Sequence, residues 1–150
     1  MILILAFIAL VVLYLFYTKV QESYLVNDPA IQRLLKRLLP VFPELNRVKV
    51  MRSPSTSYTL NKYKVYLCIR NKVTKKLFTD NTMTYVLLHE LAHALNVNYG
   101  HGSTYRSIFR SLLNRARRHN LYTPIYIPTD YCNNPDFPPR SDSDLFKGVK

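Results

Sequence analysis

The chain is short of acids and of cysteine, and its first eighteen or so residues lack charge altogether. Asp and Glu number 9 against 21 Lys and Arg, giving a formal net charge of +12. From Ala94 to Thr129 there is no acid. Over that stretch no carboxylate can balance a base or hold a cation. The cysteines, Cys68 and Cys132, are too few for a disulfide scaffold and form no Cys-x-x-Cys pair. There is no Asn-x-Ser/Thr sequon. These absences fit a reducing compartment, with Cys132 read as a half-buried thiol. All three methionines precede His89. The excess of positive charge favours polyanionic partners: nucleic acid, an anionic membrane surface or an acidic protein.

What stands at the start is an apolar run. Met1 to Thr18 is almost wholly aliphatic and aromatic. As a helix it reaches roughly 25 Å, near the short end of a bilayer span. Tyr14, Phe16 and Tyr17 suit the interface, where Lys19 can snorkel. No basic n-region and no small-x-small site precede Lys19, so residues 1–20 read as an uncleaved anchor rather than a signal peptide. Lys19, Arg33, Lys36 and Arg37 follow this segment and no basic side chain precedes it. The positive-inside bias then predicts a single-pass membrane protein. Its N-terminus lies out and its domain is cytoplasmic, or faces a virion interior.

Residues 21–28 read as a linker and residues 29–132 as one small domain. Asp28-Pro29 is a helix start, with Ile31, Leu34, Leu35, Leu38 and Leu39 on one face and Arg33, Lys36 and Arg37 on the other. Pro40 stops that helix. Strands are expected at Arg47–Met51, Tyr58–Leu60 and Lys62–Arg70, with a loop at Ser53–Ser57 and a basic turn at Asn71–Thr79. Asp80, Asn81 or Thr82 is expected to cap the next helix. A further helix covers Ser103 to Asn120 through the stripe Tyr105, Ile108, Phe109, Leu112, Leu113 and Ala116. Leu121–Asp130 is proline-punctuated with room for one short strand, and residues 133–150 read as a poorly ordered tail. The fold class is therefore α+β: a small antiparallel or mixed sheet packed on helices, preceded by a transmembrane helix.

The chemistry concentrates at His89-Glu90-Leu91-Ala92-His93. Histidines four apart share one helix face, so their imidazoles can converge on one metal ion, with Glu90 beside it to accept a proton. Leu88, Leu91, Ala92 and Leu95 make one apolar stripe, and Val86, Leu87 and Ala94 cover much of the rest. A helix apolar nearly all round is buried. A carboxylate buried there costs several kcal/mol unless a cation compensates it.

A catalytic zinc takes three protein ligands and leaves a fourth position open. The acid-free stretch excludes a downstream helical glutamate of the thermolysin kind. Two histidines remain, His101 and His119. His101 is favoured because Gly100 and Gly102 let the chain turn back, while His119 sits in a basic helix end. The metzincin spacing needs a closer third histidine and a later methionine turn, and neither is present.

The order His89-Glu90-Leu91-Ala92-His93, then Gly100-His101-Gly102-Ser103-Thr104-Tyr105, then an amphipathic helix, resembles the SprT-like and WLM metalloproteases. In those families His-Gly-x-x-Phe opens the next helix; here the aromatic is Tyr105. The resemblance spans about Pro29 to Cys132 and is specific from His89 to Tyr105. It implies a zincin-like minimal metalloprotease domain, zinc on His89, His93 and His101, and Glu90 as the catalytic residue. The compact size and anchor are similar to WLM-type proteins of large DNA viruses. The family also implies protein substrates bound or crosslinked to DNA.

The second long helix carries Arg106, Arg110, Arg115, Arg117 and Arg118 on its outer face, with no acid among them. This one-sign face makes Arg106, Arg110 and Arg117 the candidate nucleic-acid contacts. Tyr99, Tyr105, Tyr126 and Tyr131 stand open as the oxyanion donor, and the Lys62–Arg70 strand as an edge for an extended peptide. Two other functions compete. One is a processing protease for membrane or virion proteins. The other is an anchored, non-enzymatic nucleic-acid adaptor, in which a fourth protein ligand such as Cys132 closes a structural zinc site.

Overall fold

The computed structural model describes residues 2–124 and 131–133. Its first helix, α1 (Ile2–Val26), is long and apolar enough to cross a membrane. Residues 21–26, expected as linker, continue it without a break. No proline or glycine interrupts them, and side-chain contacts hold them to the domain. The Glu22 carboxylate lies 2.9 Å from Lys49 Nζ and 3.5 Å from Lys64 Nζ.

The turn at Asn27–Asp28 leads into α2 (Pro29–Leu38). Asp28 Oδ1 accepts from the Ala30 amide at 2.9 Å, a side-chain N-cap, with proline at the first position as expected. Ile31, Leu34 and Leu38 are buried while Arg33, Lys36 and Arg37 face outward. A short 3-10 helix, Pro43–Arg47, leads to the sheet.

The strands are β1 (Lys49–Ser53), β2 (Tyr58–Leu60) and β3 (Lys64–Cys68), in the order β1-β3-β2. β3 pairs parallel with β1 and antiparallel with β2, so the sheet is mixed. β1 begins two residues later than expected. β3 is shorter than Lys62–Arg70 because Asn61 and Lys62 take positive φ, 50° and 61°, and turn the chain between the strands. β3 is also central. It cannot offer the free edge expected of it; among the described residues β2 is the edge strand on that side of the sheet.

Helix α3 (Asp80–Leu95) carries the His-Glu-x-x-His segment. Its cap is Thr79, whose Oγ1 accepts from the Thr82 amide at 3.2 Å, rather than one of the three residues after it. Asp80 instead sits in the first turn and takes Arg33 at 3.1 Å and Arg37 at 3.4 Å, tying α2 to α3. Every side chain from Met83 to Ala92 is buried. α3 lies at the middle of the core, against β2 and β3, α2 and α4 (Ser103–Arg118).

α4 buries Tyr105, Phe109, Leu112, Leu113 and Ala116, with Ile108 half-buried. It ends before Asn120 because Asn120 takes φ 54°. The Leu121 amide then bonds Ala116 O and the Asn120 amide bonds Arg117 O, a Schellman closure. Leu121–Thr123 has no strand among the described residues. The tail expected at 133–150 lies outside them except for Asn133.

Tyr131–Asn133 forms a short helical turn that returns to the sheet. There Cys132 is bonded to Cys68 across 64 residues of sequence. The expected free, half-buried thiol is thus corrected. The pairing was hidden because it depends on where the chain folds back, which spacing alone does not reveal.

Candidate metal centre

One helix and one loop build the site. His89 and His93 stand one turn apart on α3, and His101 comes back from the loop between α3 and α4. Gly100 at φ 82° makes that reversal, and extended Gly102 opens α4. The three Nε2 atoms then face one another: His89–His93 3.3 Å, His89–His101 3.3 Å and His93–His101 3.0 Å. Tetrahedral zinc with nitrogens about 2.0–2.1 Å away spaces its ligands roughly 3.3–3.4 Å apart. The imidazole triangle matches that size. Three such nitrogens facing one another are compatible with a metal ion between them. The cluster is the grouping of metal-ligating side chains found among the described residues. His119, the alternative third ligand, lies at the far end of α4 as its C-cap.

The surroundings set the state of the ligands. His89 is held neutral, its pKa well below the usual imidazole range, first by burial and then by neighbouring His93 and His101. Neutral imidazole is the form that binds a metal. Tyr105 backs the cluster: its ring centroid lies 4.4 Å from that of His93 and its hydroxyl donates to His89 O at 3.4 Å. The Tyr105 ring also lies 5.4 Å from that of His89 and 4.7 Å from that of His101, so it packs against all three imidazoles.

Glu90 is 3% exposed. Thr59 Oγ1 on β2 lies 2.8 Å from Glu90 Oε2 and 2.9 Å from the Glu90 main-chain oxygen. The carboxylate thus borders a cleft of about 360 Å³ lined by Thr59, Lys62, Glu90, His93, Tyr99 and His101 among others. Lys62 spans the cleft's rim. Its Nζ donates to Asn96 O and lies 3.3 Å from both Val97 O and Asn98 O. It also lies 4.8 Å above the Tyr99 ring. A lysine there caps the carbonyls at the end of α3 and straps the loop that delivers His101.

Thr59 and Lys62 were not among the residues singled out from sequence. They lie 31 and 34 residues from their partners. No local pattern marks a threonine in a three-residue strand or a lysine in a turn.

Of the tyrosines considered as oxyanion donors, Tyr105 and Tyr131 are already engaged. Tyr131 is buried, packs on Phe78 at 4.6 Å between ring centroids, and donates to Cys68 O at 2.6 Å. Burial raises its pKa and keeps the phenol protonated. Tyr99 lines the cleft. Tyr126 lies outside the described residues.

The arginines divide. Arg115 pairs with Glu44 at 2.7 Å and lies 4.5 Å over the Phe42 ring, so it joins α4 to the 3-10 segment rather than the outward face. An acid does meet this helix, from a part of the chain that sequence spacing did not bring near. Arg106 and Arg117 are exposed and Arg110 is half-buried. None of the three lines the cleft.

Comparison with known proteins finds viral relatives. Uncharacterized protein 042R of Invertebrate iridescent virus 3 is 38% identical over 79 residues, 53% of this chain and 49% of that protein. Uncharacterized protein 136R of Invertebrate iridescent virus 6 is 35% identical over 77 residues, 50% of this chain and 43% of that one. An uncharacterized protein of Acanthamoeba polyphaga mimivirus is 35% identical over 81 residues, 51% and 41% of the two chains. The chain spans less than half the length of the curated relatives it matches. No protein-family model matches the chain, and no solved structure does.

Proposed function

We propose that this chain is a membrane-anchored zinc endopeptidase of the SprT and WLM kind, with a zincin-like minimal fold. The observation that carries the reading is the closure of three imidazole nitrogens at 3.0–3.3 Å beside a buried glutamate in an open cleft. His89, His93 and His101 would hold the ion. When bound, zinc supplies Lewis acidity, polarising a carbonyl and acidifying a water molecule. Glu90 accepts the water's proton and returns it to the departing amine. Thr59 holds the carboxylate toward the cleft. The edge of β2, which pairs only with β3 among the described residues, suits an extended peptide laid alongside it.

The competing adaptor requires a closed site with a fourth protein ligand. Cys132 is bonded to Cys68 instead, which favours an open coordination position. A DNA-bound protein substrate is the family's implication, and exposed Arg106 and Arg117 on the helix after His101 support it. The test is zinc content together with protein cleavage, with and without DNA, for wild type and Glu90→Gln. We expect about one zinc per chain in both and cleavage in wild type alone. His89→Ala, His93→Ala and His101→Ala should lose the metal. Retention by His101→Ala with loss by His119→Ala would overturn the ligand set.

A further inference from the structure

The join between α1 and the sheet fixes where the cleft lies relative to the apolar helix. Glu22 meets Lys49, Tyr24 lies under Arg52 at 5.2 Å, and Asp28 meets Arg52 at 3.3 Å. α1 and β1 therefore run side by side in the same direction. Glu22 to Val26 advances roughly 6 Å as helix before the turn at Asn27–Asp28, and Lys49 to Arg52 about 10 Å as strand, both in the same sense. Going back up α1 toward its apolar part leads past the Lys49 end of the sheet. That end is one row, since Lys49 pairs with Lys64 and Lys64 with Leu60. The β2–β3 turn, residues 61–63, lies at the same end.

The candidate site shares this end. Thr59 meets Glu90 and Lys62 meets Asn96, so α3 descends toward the same turn and its C-terminal loop emerges there. Lys19 precedes Glu22 by just under one helical turn, about 4.5 Å, and Thr59 lies one row, about 3.3 Å, beyond Leu60. With α1 upright in a bilayer, the Glu90 carboxylate stands on the order of 10 Å from the level of Lys19.

The surface there has interfacial chemistry. Val97 is 87% exposed, Tyr99 91% and Tyr63 49%, with Leu60 beside them. Lys62 stands among them, Lys19 lies one turn further up α1, and Glu22, an acid at this end, is paired with Lys49 and Lys64. Tyrosine rings, aliphatic tips and lysines suit the headgroup region of an anionic bilayer.

We propose that this end of the domain rests on the membrane that α1 crosses, and that the cleft takes the extended, membrane-proximal segment of another membrane-anchored protein. The substrate assignment rests on the hydrolase reading above; the docking does not. It selects a membrane-anchored substrate over a soluble one; DNA binding by α4 is independent of it.

The chain has no tryptophan, so an introduced one reports alone. Full-length Val97→Trp and, from the opposite end of the sheet, Ser55→Trp are reconstituted in phosphatidylcholine–phosphatidylserine vesicles with brominated acyl chains. Val97→Trp should shift to the blue and lose most of its emission; Ser55→Trp should do neither. Tyr63→Trp repeats the measurement should Val97→Trp fail to fold. Water-like emission at both Val97 and Tyr63 positions would overturn the docking and leave this rim to a protein partner.

Cleavage is then followed on a single-span substrate whose cleavable segment is moved outward by ten extended residues, about 33 Å. At least a tenfold fall is expected. Equal cleavage at both distances would overturn the substrate assignment while leaving the hydrolase reading intact. Docking without any cleavage, even of soluble peptides, would instead overturn the hydrolase reading.

Discussion

Thr59 and Glu90 are joined twice, through the carboxylate at 2.8 Å and the main-chain oxygen at 2.9 Å. One hydroxyl proton serves both acceptors. The contact couples strand β2 to the residue proposed to move protons. It restrains the Glu90 carboxylate at the wall of the cleft. Thr59→Val keeps the shape and removes the donor. We expect hydrolysis to fall on the order of tenfold, the scale of a hydrogen bond to a charged group, with zinc content unchanged. Thr59→Ser should restore most of the rate. Loss of zinc in Thr59→Val would show the contact to be structural instead.

Lys62 offers a second test. Its ammonium gathers the carbonyls of Asn96, Val97 and Asn98, the residues leading to His101. Lys62→Met should weaken zinc binding by about tenfold or more, as removal of outer-shell support commonly does. Lys62→Arg should recover part of it. An unchanged affinity in a competition assay with a chelator would show that Gly100 and Gly102 alone place His101.

The arginines can be tested apart from the site. Replacing Arg106, Arg110 and Arg117 with Glu should weaken DNA binding and lower the slope of log affinity against log salt by about three, one for each phosphate no longer neutralised. Arg115→Ala should act differently. It breaks the Glu44 pair and the packing on Phe42, so its effect should appear as a lower melting temperature. Full DNA binding by the triple variant would remove this helix from nucleic-acid recognition.

Sidedness is the fourth test. The basic residues after α1 favour a cytoplasmic domain, whereas a bonded Cys68–Cys132 pair belongs on an oxidising side. We expect both thiols to resist alkylation in intact cells until a reductant is added. Ready labelling without reductant would return the domain to the reducing side that charge predicts.

Much of the site was legible because it is local. His89 and His93 lie within one turn of one helix, and the glycines around His101 announce a reversal. The apolar sequence around Glu90 foretold burial from Met83 to Ala92. Asp28-Pro29 announced the start of α2, and Asp28 does cap it. What escaped was contact between distant parts of the chain. Arg115 meets Glu44 across 71 residues, and Cys132 meets Cys68 across 64. The continuation of α1 through Val26 escaped for another reason. Its polar residues look like linker until Lys49 and Lys64 arrive to hold Glu22.

The Cys68–Cys132 bond also makes a covalent ring, running from the middle strand through α3 and α4 and back again. His89, Glu90, His93 and His101 all ride on that ring; Thr59 and Lys62 stand outside it. A single cut in the exposed loop between α3 and α4 would therefore release nothing. Both pieces would stay attached to the sheet and to α1, and the break would show on a gel only after reduction. For this half of the molecule, coming apart takes electrons as well as a blade.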